Sequence, residues 1–129
     1  SLLAGYTCTP LVKIPIKKLA SEDMVQGTTI AELGNRNRPL DMIVYNHHGK
    51  AFVLMANSAR GVMKISTDNM ENAKPLTERV SNGGVAGQSY ETIDELTGVV
   101  QLDKLDDAHA LVVIQPETGS MSLKSIDLP

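Results

Sequence analysis

Three stretches of this chain can be laid over one another, and that repetition limits the fold more than any other feature. They are "SLLAGYTCTPLVKIPI", "AFVLMANSARGVMKIS" and "ALVVIQPETGSMSLKSI". Each reads as an apolar strand, a short turn, and a second strand with a lysine near its middle: Lys13, Lys64 and Lys124. The apolar strands begin near Leu2, Phe52 and Leu111. A unit of this kind cannot bury its apolar face alone, so a chain built from it must stack its units against one another.

The rest of the chain supports an all-β reading. Strands are expected over 2–7, 11–16, 27–33, 40–45, 51–56, 62–67, 76–80, 99–105, 110–115 and 121–128. Some alternate apolar and polar residues, as in "VMKIS"; others are continuously apolar, as in "AFVLMA". The turn signals "NHHGK", "NSARG", "DDAH" and "PETGS" separate them. Helical signals are weak: one turn within "KKLASEDM" and a short helix within "QSYETIDEL".

Bulk properties exclude several classes. The 129 residues suit one domain of ordinary size, and 42% hydrophobic against 21% charged residues indicates a globular chain. Aromatic residues make up only 3%, which argues against an RNA-reading sheet or a stacking groove. Residues 1–64 carry eight Lys/Arg and four Asp/Glu, and residues 65–129 carry four and eleven, so the net −3 divides into +4 and −7. A two-signed chain is a poor nucleic-acid binder but can pair its own halves or a complementary partner. Cys8 is the single cysteine, and no CxxC or Cys/His zinc spacing occurs, so no metal site is expected. No apolar run reaches the ~18 residues of a membrane span. The start "SLLAGYTCTP" has neither a signal-peptide pattern nor an initiator Met, so the chain is expected to be processed or part of something longer.

A further strand and tight hairpin precede the second and third units, as "PLDMIVYNHHGK" and "GVVQLDKLDDAH". A period of roughly 40 to 60 residues with up to four short strands is the pattern of β-propeller blades. The stretch "NRPLDMIVYNHHGKAFVLMANSARGVMKIS" resembles a blade of propellers of the NHL, lactonase and quinoprotein-dehydrogenase kind. The residues that carry the resemblance are Pro39, Leu40, Asp41, Gly49, Asn57, Gly61 and Ile65. The resemblance implies about two and a half four-stranded antiparallel blades, where a closed ring needs at least ~4. Residues 1–33 would form a partial blade, 34–80 a full one, and 81–129 a final blade lacking one strand. The chain would then be the C-terminal portion of a larger propeller, its other blades coming from a separate chain, a further segment or more copies. An open piece would expose sheet edges and invite association.

In a blade, the turn between the second and third strands shares a face with the loop leading into the first. "NSARG" and "GNRNRPLD" should therefore lie together, bringing Arg36, Arg38, Asp41, Asn57 and Arg60 to one rim. Three arginines there suit a carboxylate or phosphate; the alternative is that they pair with neighbouring acids or carry solvated charge. "NSARG" makes a poor phosphate cradle, with one glycine and no GK[ST]. Cys8, in the corresponding turn of the first unit, belongs to the same face and could ligate a metal or haem, bridge to another chain, or stay inert.

Other polar groups read as surface. His47 and His48 sit in a hairpin on the opposite face, where adjacent side chains diverge. His109 follows "LDD", and a carboxylate contact there could serve metal binding or acid–base work. Asp94, Glu95, Asp103, Asp106 and Asp107 do not match a calcium loop. "SNGGVAG", residues 81–87, reads as a linker or a lid. Met42, Met55 and Met63 read as core filling.

The expected role is a binding or scaffold segment that docks a partner subunit or an anionic ligand on its arginine-rich face. The alternative is the C-terminal part of a redox propeller enzyme, quinoprotein- or haem-associated; whether the chain is an enzyme, and with which cofactor, is left open by the residues. The family resemblance implies a periplasmic or extracellular location.

Overall fold

The computed structural model describes residues 1–8, 10–21 and 23–129. Its strands, in chain order, are β1 (Leu2–Gly5), β2 (Pro10–Ile14), β3 (Thr28–Leu33), β4 (Pro39–His47), β5 (Lys50–Asn57), β6 (Val62–Ser66), β7 (Val85–Gly87), β8 (Tyr90–Thr92), β9 (Val99–Lys104), β10 (His109–Ile114) and β11 (Ser122–Asp127). They form three antiparallel sheets: β1-β2-β3-β7, β4-β5-β6-β8 and β9-β10-β11. A single helical turn, α1 (Ile16–Leu19), follows Pro15. The chain is all-β, as its turn-punctuated apolar runs require.

The sheet containing β4 is the central layer. Successive residues of a strand point to opposite faces, and β5 uses both. Val53 and Met55 join a core with Leu11, Ile30, Ala31 and Leu33 of the first sheet. Leu54 and Ala56 join a second core with Val99, Leu102, Ala110 and Val112 of the third sheet. The continuous apolar run "AFVLMA" is thereby explained, because a strand covered on both faces has no polar side. Its neighbour β6 does the same with Val62 on one side and Met63 and Ile65 on the other.

Pairing registers test the repeat directly. Leu3 stands opposite Lys13 in the first hairpin, and Leu54 stands opposite Lys64 in the second. The two lysines occupy equivalent places, and each keeps its ammonium partnered. Lys13 Nζ donates to the carbonyls of Met70 and Glu71 at 3.0 and 2.9 Å. Lys64 lies over the Phe52 ring and faces Glu91 at 3.6 Å. Lys124 differs: it pairs with Val112, so it stands on the other face of its sheet. A change of one residue in register moves a side chain across the sheet.

The outer strands depart from the sequence pattern. Residues 76–80 form no strand, and Leu76 makes a single backbone bond, to Thr29 O. The edge of β3 is taken instead by β7, with Ala31 opposite Gly87. Gly87 is required there: its φ is +82°, and a Cβ would meet the Ile30 carbonyl. The stretch expected to start a helix at "QSYETIDEL" opens as β8 on the edge of β6 and only then makes a 3-10 turn at Asp94–Leu96. An unpaired sheet edge outweighs a weak local helix preference. Within 81–129, therefore, β7 completes the first sheet and β8 the central one.

Tyr45 closes the core between the central and third sheets. Its hydroxyl donates to the Pro129 carbonyl at 2.6 Å. Burial, with a smaller contribution from the Glu91 carboxylate, pushes its phenol up to about 12. The fold favours the neutral phenol, so this stabilisation is complete below the ordinary value near 10.0 and is lost as pH rises towards 12. Tyr45→Phe is expected to cost about 0.5–1.5 kcal/mol at neutral pH. Urea unfolding across the alkaline range should show the difference between wild type and variant shrinking over that interval.

Candidate functional site

The turns of the first two sheets meet at one end of the stack around a pair of buried asparagines. Asn37 Nδ2 donates to Asn57 Oδ1 at 2.8 Å. Asn57 Nδ2 donates to the carbonyls of Met55 and Gly61, which closes the "NSARG" turn on itself. Asn37 Oδ1 accepts from the Ala59 amide, and its backbone carbonyl accepts from the Cys8 amide at 3.1 Å. The Asn37 and Asn57 side-chain amides, each with both its ends used, thus tie the loops over 34–39 and 57–61, and the Asn37 backbone carbonyl adds the turn at Cys8.

The five candidate residues separate by what they touch. Arg60 turns back onto the preceding loop: its Nε and Nη2 donate to the Asn35 carbonyl at 3.2 and 3.0 Å. Gly34 leaves the space for it, since a Cβ there would meet the guanidinium. Asn57 is buried in the turn. Asp41 spends both oxygens on backbone: Oδ1 accepts from the Met42 amide at 2.9 Å, and Oδ2 accepts from the Leu102 amide at 3.1 Å. The second bond links β4 to β9 across the two sheets. Arg38 is exposed, and its backbone exchanges bonds with Ser58.

Arg36 is placed differently. Its backbone has φ +54°, a left-handed conformation uncommon for a residue with a side chain. It lines a cleft of about 510 Å³ together with Arg79, Cys8, Asn35, Glu32 and Gly83. Among the described residues, neither Arg36 nor Arg79 has an ion-pair partner. Arg79 is a site residue that the strand pattern gives no reason to single out. It arrives because the chain between β6 and β7 crosses back to the first sheet, where the Asn35 amide bonds Gly83 O at 3.1 Å.

The other polar groups serve turns. Asp106 accepts from the amides of Ala108 and His109 and from His109 Nδ1, all within 2.9 Å. The Ala108 amide, then the His109 side chain, hold its carboxyl below the usual range. His109 Nε2 lies 3.5 Å from Asp127. His48 takes a left-handed turn conformation, and its ring meets that of His47 edge to face. Partial desolvation, then His48 and Lys64, lower the His47 imidazole. Asp107 pairs with Lys104 at 2.7 Å, and Asp94 and Glu95 lie exposed in a 3-10 turn. Among the described residues, no three His, Cys, Asp or Glu side chains gather as a metal site would, and no helix is long and apolar enough to cross a membrane.

No family model, no curated protein and no solved structure matches this chain.

Proposed function

We propose that the chain is a β-propeller segment with a binding role, and that it holds an acidic group, of a small ligand or of a partner's side chain, between Arg36 and Arg79. The blade reading is supported by the stacking of the sheets and by their two end faces. Leu2 and Ile14 on the outer side of the first sheet correspond to Val53 and Ile65 in the central one, yet Leu2 is 48% exposed and Val53 fully covered. On the outer side of the third sheet, Leu123 is 68% exposed beside Val113. Further sheets would bury both.

The observation that carries the site is the pair of arginines lining one cleft, neither with an ionic partner among the described residues. A carboxylate between them would accept charge-assisted bonds from both. Glu32 on the same wall leaves two positive charges against one negative, which suits a monoanion. The "NSARG" turn enters as framework: it fixes Asn35 and Asn37 and, through them, the chain on either side of Arg36.

Titration of the isotope-labelled protein with acetate, followed by amide shifts, tests the proposal. Saturable shifts are expected at Cys8, Arg36, Arg79 and Gly83. Arg36→Ala and Arg79→Ala should each weaken binding about tenfold, whereas Arg38→Ala should leave it unchanged. Linear shifts that persist in the double variant would overturn the site.

A further inference from the structure

We propose that the Asn82-Gly83 turn is a self-modification site: its asparagine converts to an aspartate or isoaspartate, and the new carboxylate competes with external anions for Arg36 and Arg79. The conversion stands on the chemistry of the turn itself, and its effect on the cleft rests on the reading of the two arginines as an acid-binding site.

Asn82-Gly83 is the one Asn-Gly pair in the sequence. An asparagine loses its side-chain nitrogen when the backbone nitrogen of the next residue attacks the side-chain carbonyl carbon, and glycine leaves that nitrogen uncrowded. Every other asparagine is followed by a residue with a side chain. Asn37 and Asn57 are also buried, with their amides bonded to each other. Asn82 is exposed. Among the described residues, neither its side chain nor the Gly83 amide makes a hydrogen bond.

The fold calls for this pair of residues. Ser81 to Gly84 form a tight turn, closed by the Gly84 amide on Ser81 O at 3.1 Å. Asn82 has φ +57° and ψ +24°, and Gly83 has φ +63°. Two successive left-handed residues make the turn for which Asn-Gly is a favoured sequence. Gly83 is fixed a second time, because a Cβ there would meet the Asn35 side chain. That close approach sets Gly83 O on the Asn35 amide and places Gly83 and Gly84 on the cleft wall with Arg36 and Arg79. The residues that shape this wall are therefore the ones that can react.

Ring closure requires ψ of Asn82 to swing far from +24°, so the turn gates the reaction. Opening it breaks the Gly84–Ser81 and Asn35–Gly83 backbone bonds, a local event well short of global unfolding. The Gly83 nitrogen then bonds to Cγ of Asn82 and gives up its proton. Nδ2 takes a proton and leaves as ammonia, and the product is a succinimide. Water adds to either ring carbonyl, the ring C–N bond breaks, and the nitrogen regains its proton. One route gives aspartate. The other gives isoaspartate, whose main chain runs through the former side chain and is one carbon longer. In both, a neutral amide becomes a carboxylate one residue from the cleft wall. It offsets part of the arginines' charge and opposes an entering anion.

The test compares fresh full-length protein with protein incubated at mildly alkaline pH. Peptide mapping by mass spectrometry should find aspartate and isoaspartate at position 82 ahead of any other asparagine. The aged protein should bind acetate about two- to fivefold more weakly than the fresh one, with amide shifts at Asn35 and Gly84. Asn82→Asp should reproduce the weaker binding without ageing. Asn82→Gly keeps a turn that glycine satisfies, and its affinity should not change with incubation. An Asn82 that keeps its amide while other asparagines convert would overturn the site. Conversion that leaves acetate affinity unchanged would overturn the competition. Fresh protein that fails to bind acetate would overturn the arginine reading and the competition with it, while peptide mapping decides the conversion separately.

Discussion

Leu54→Ala is expected to destabilise the protein by about 2–5 kcal/mol, among the largest effects a single truncation can have here. Leu54 is fully buried and lies in the core that the central sheet shares with Tyr45, Val99, Leu102 and Val112. Removing its branched end deletes apolar surface that was out of water and leaves a cavity. The cavity has little means of collapsing, because the strand that would have to move is pinned on both faces. Behind Leu54, the same backbone presents Val53 and Met55 to the first core, so any shift that filled one gap would open another. Beside it, Lys64 lies over the Phe52 ring and holds the neighbouring strand. Leu123→Ala provides the comparison: its side chain is mostly exposed, and the change should fall within about 0.5 kcal/mol of wild type. Urea denaturation of both variants measures the contrast. A Leu54→Ala loss below that of Leu123→Ala would mean that the central sheet is not covered on both sides.

What could be read in advance follows the same division between covered and uncovered surface. The strands β5, β6, β9 and β10 were legible because their side chains are dictated by burial, which leaves apolar periodicity in the sequence. The three-residue strands β7 and β8 were not. "VAG" and "YET" carry no period of their own, and they become strands because β3 and β6 offer free edges nearby. Residues 76–80 have the better β composition but make only one bond to β3. The meeting of the loops around Asn37 and Asn57 was legible through the strand order, since the turn between the second and third strands of a sheet falls at the same end as the loop entering the first. The separation of the arginines was not. Arg36, Arg38 and Arg60 are alike as residue types. Only the fold separates them: Arg60 donates to Asn35 O, while Arg36 shares a cleft with Arg79. Lys124 shows the limit of matching by residue type, because its place in the third hairpin lies on the face opposite to those of Lys13 and Lys64.

Asn57→Ala is expected to cost about 3 kcal/mol, because buried groups left without partners each lose about 1–3 kcal/mol and do not add fully. Asn57 is 6% exposed and makes three hydrogen bonds, to Asn37 Nδ2 and to the carbonyls of Met55 and Gly61. Alanine removes all three and strands the amide group of Asn37, itself only 2% exposed. Asn57→Asp keeps the volume but places a carboxylate against two carbonyl acceptors, so it should destabilise at least as much. The two sides of the site then separate by experiment. Arg36→Ala should reduce acetate binding and leave the urea midpoint nearly unchanged, since its side chain is exposed and has no ion pair among the described residues. Asn57→Ala should lower the midpoint strongly, while its folded fraction retains most of the affinity, because Asn37 still bonds the Cys8 amide through its backbone. If Asn57→Ala instead abolished binding with little loss of stability, the "NSARG" turn would be a ligand contact and the arginine cleft would not be the site.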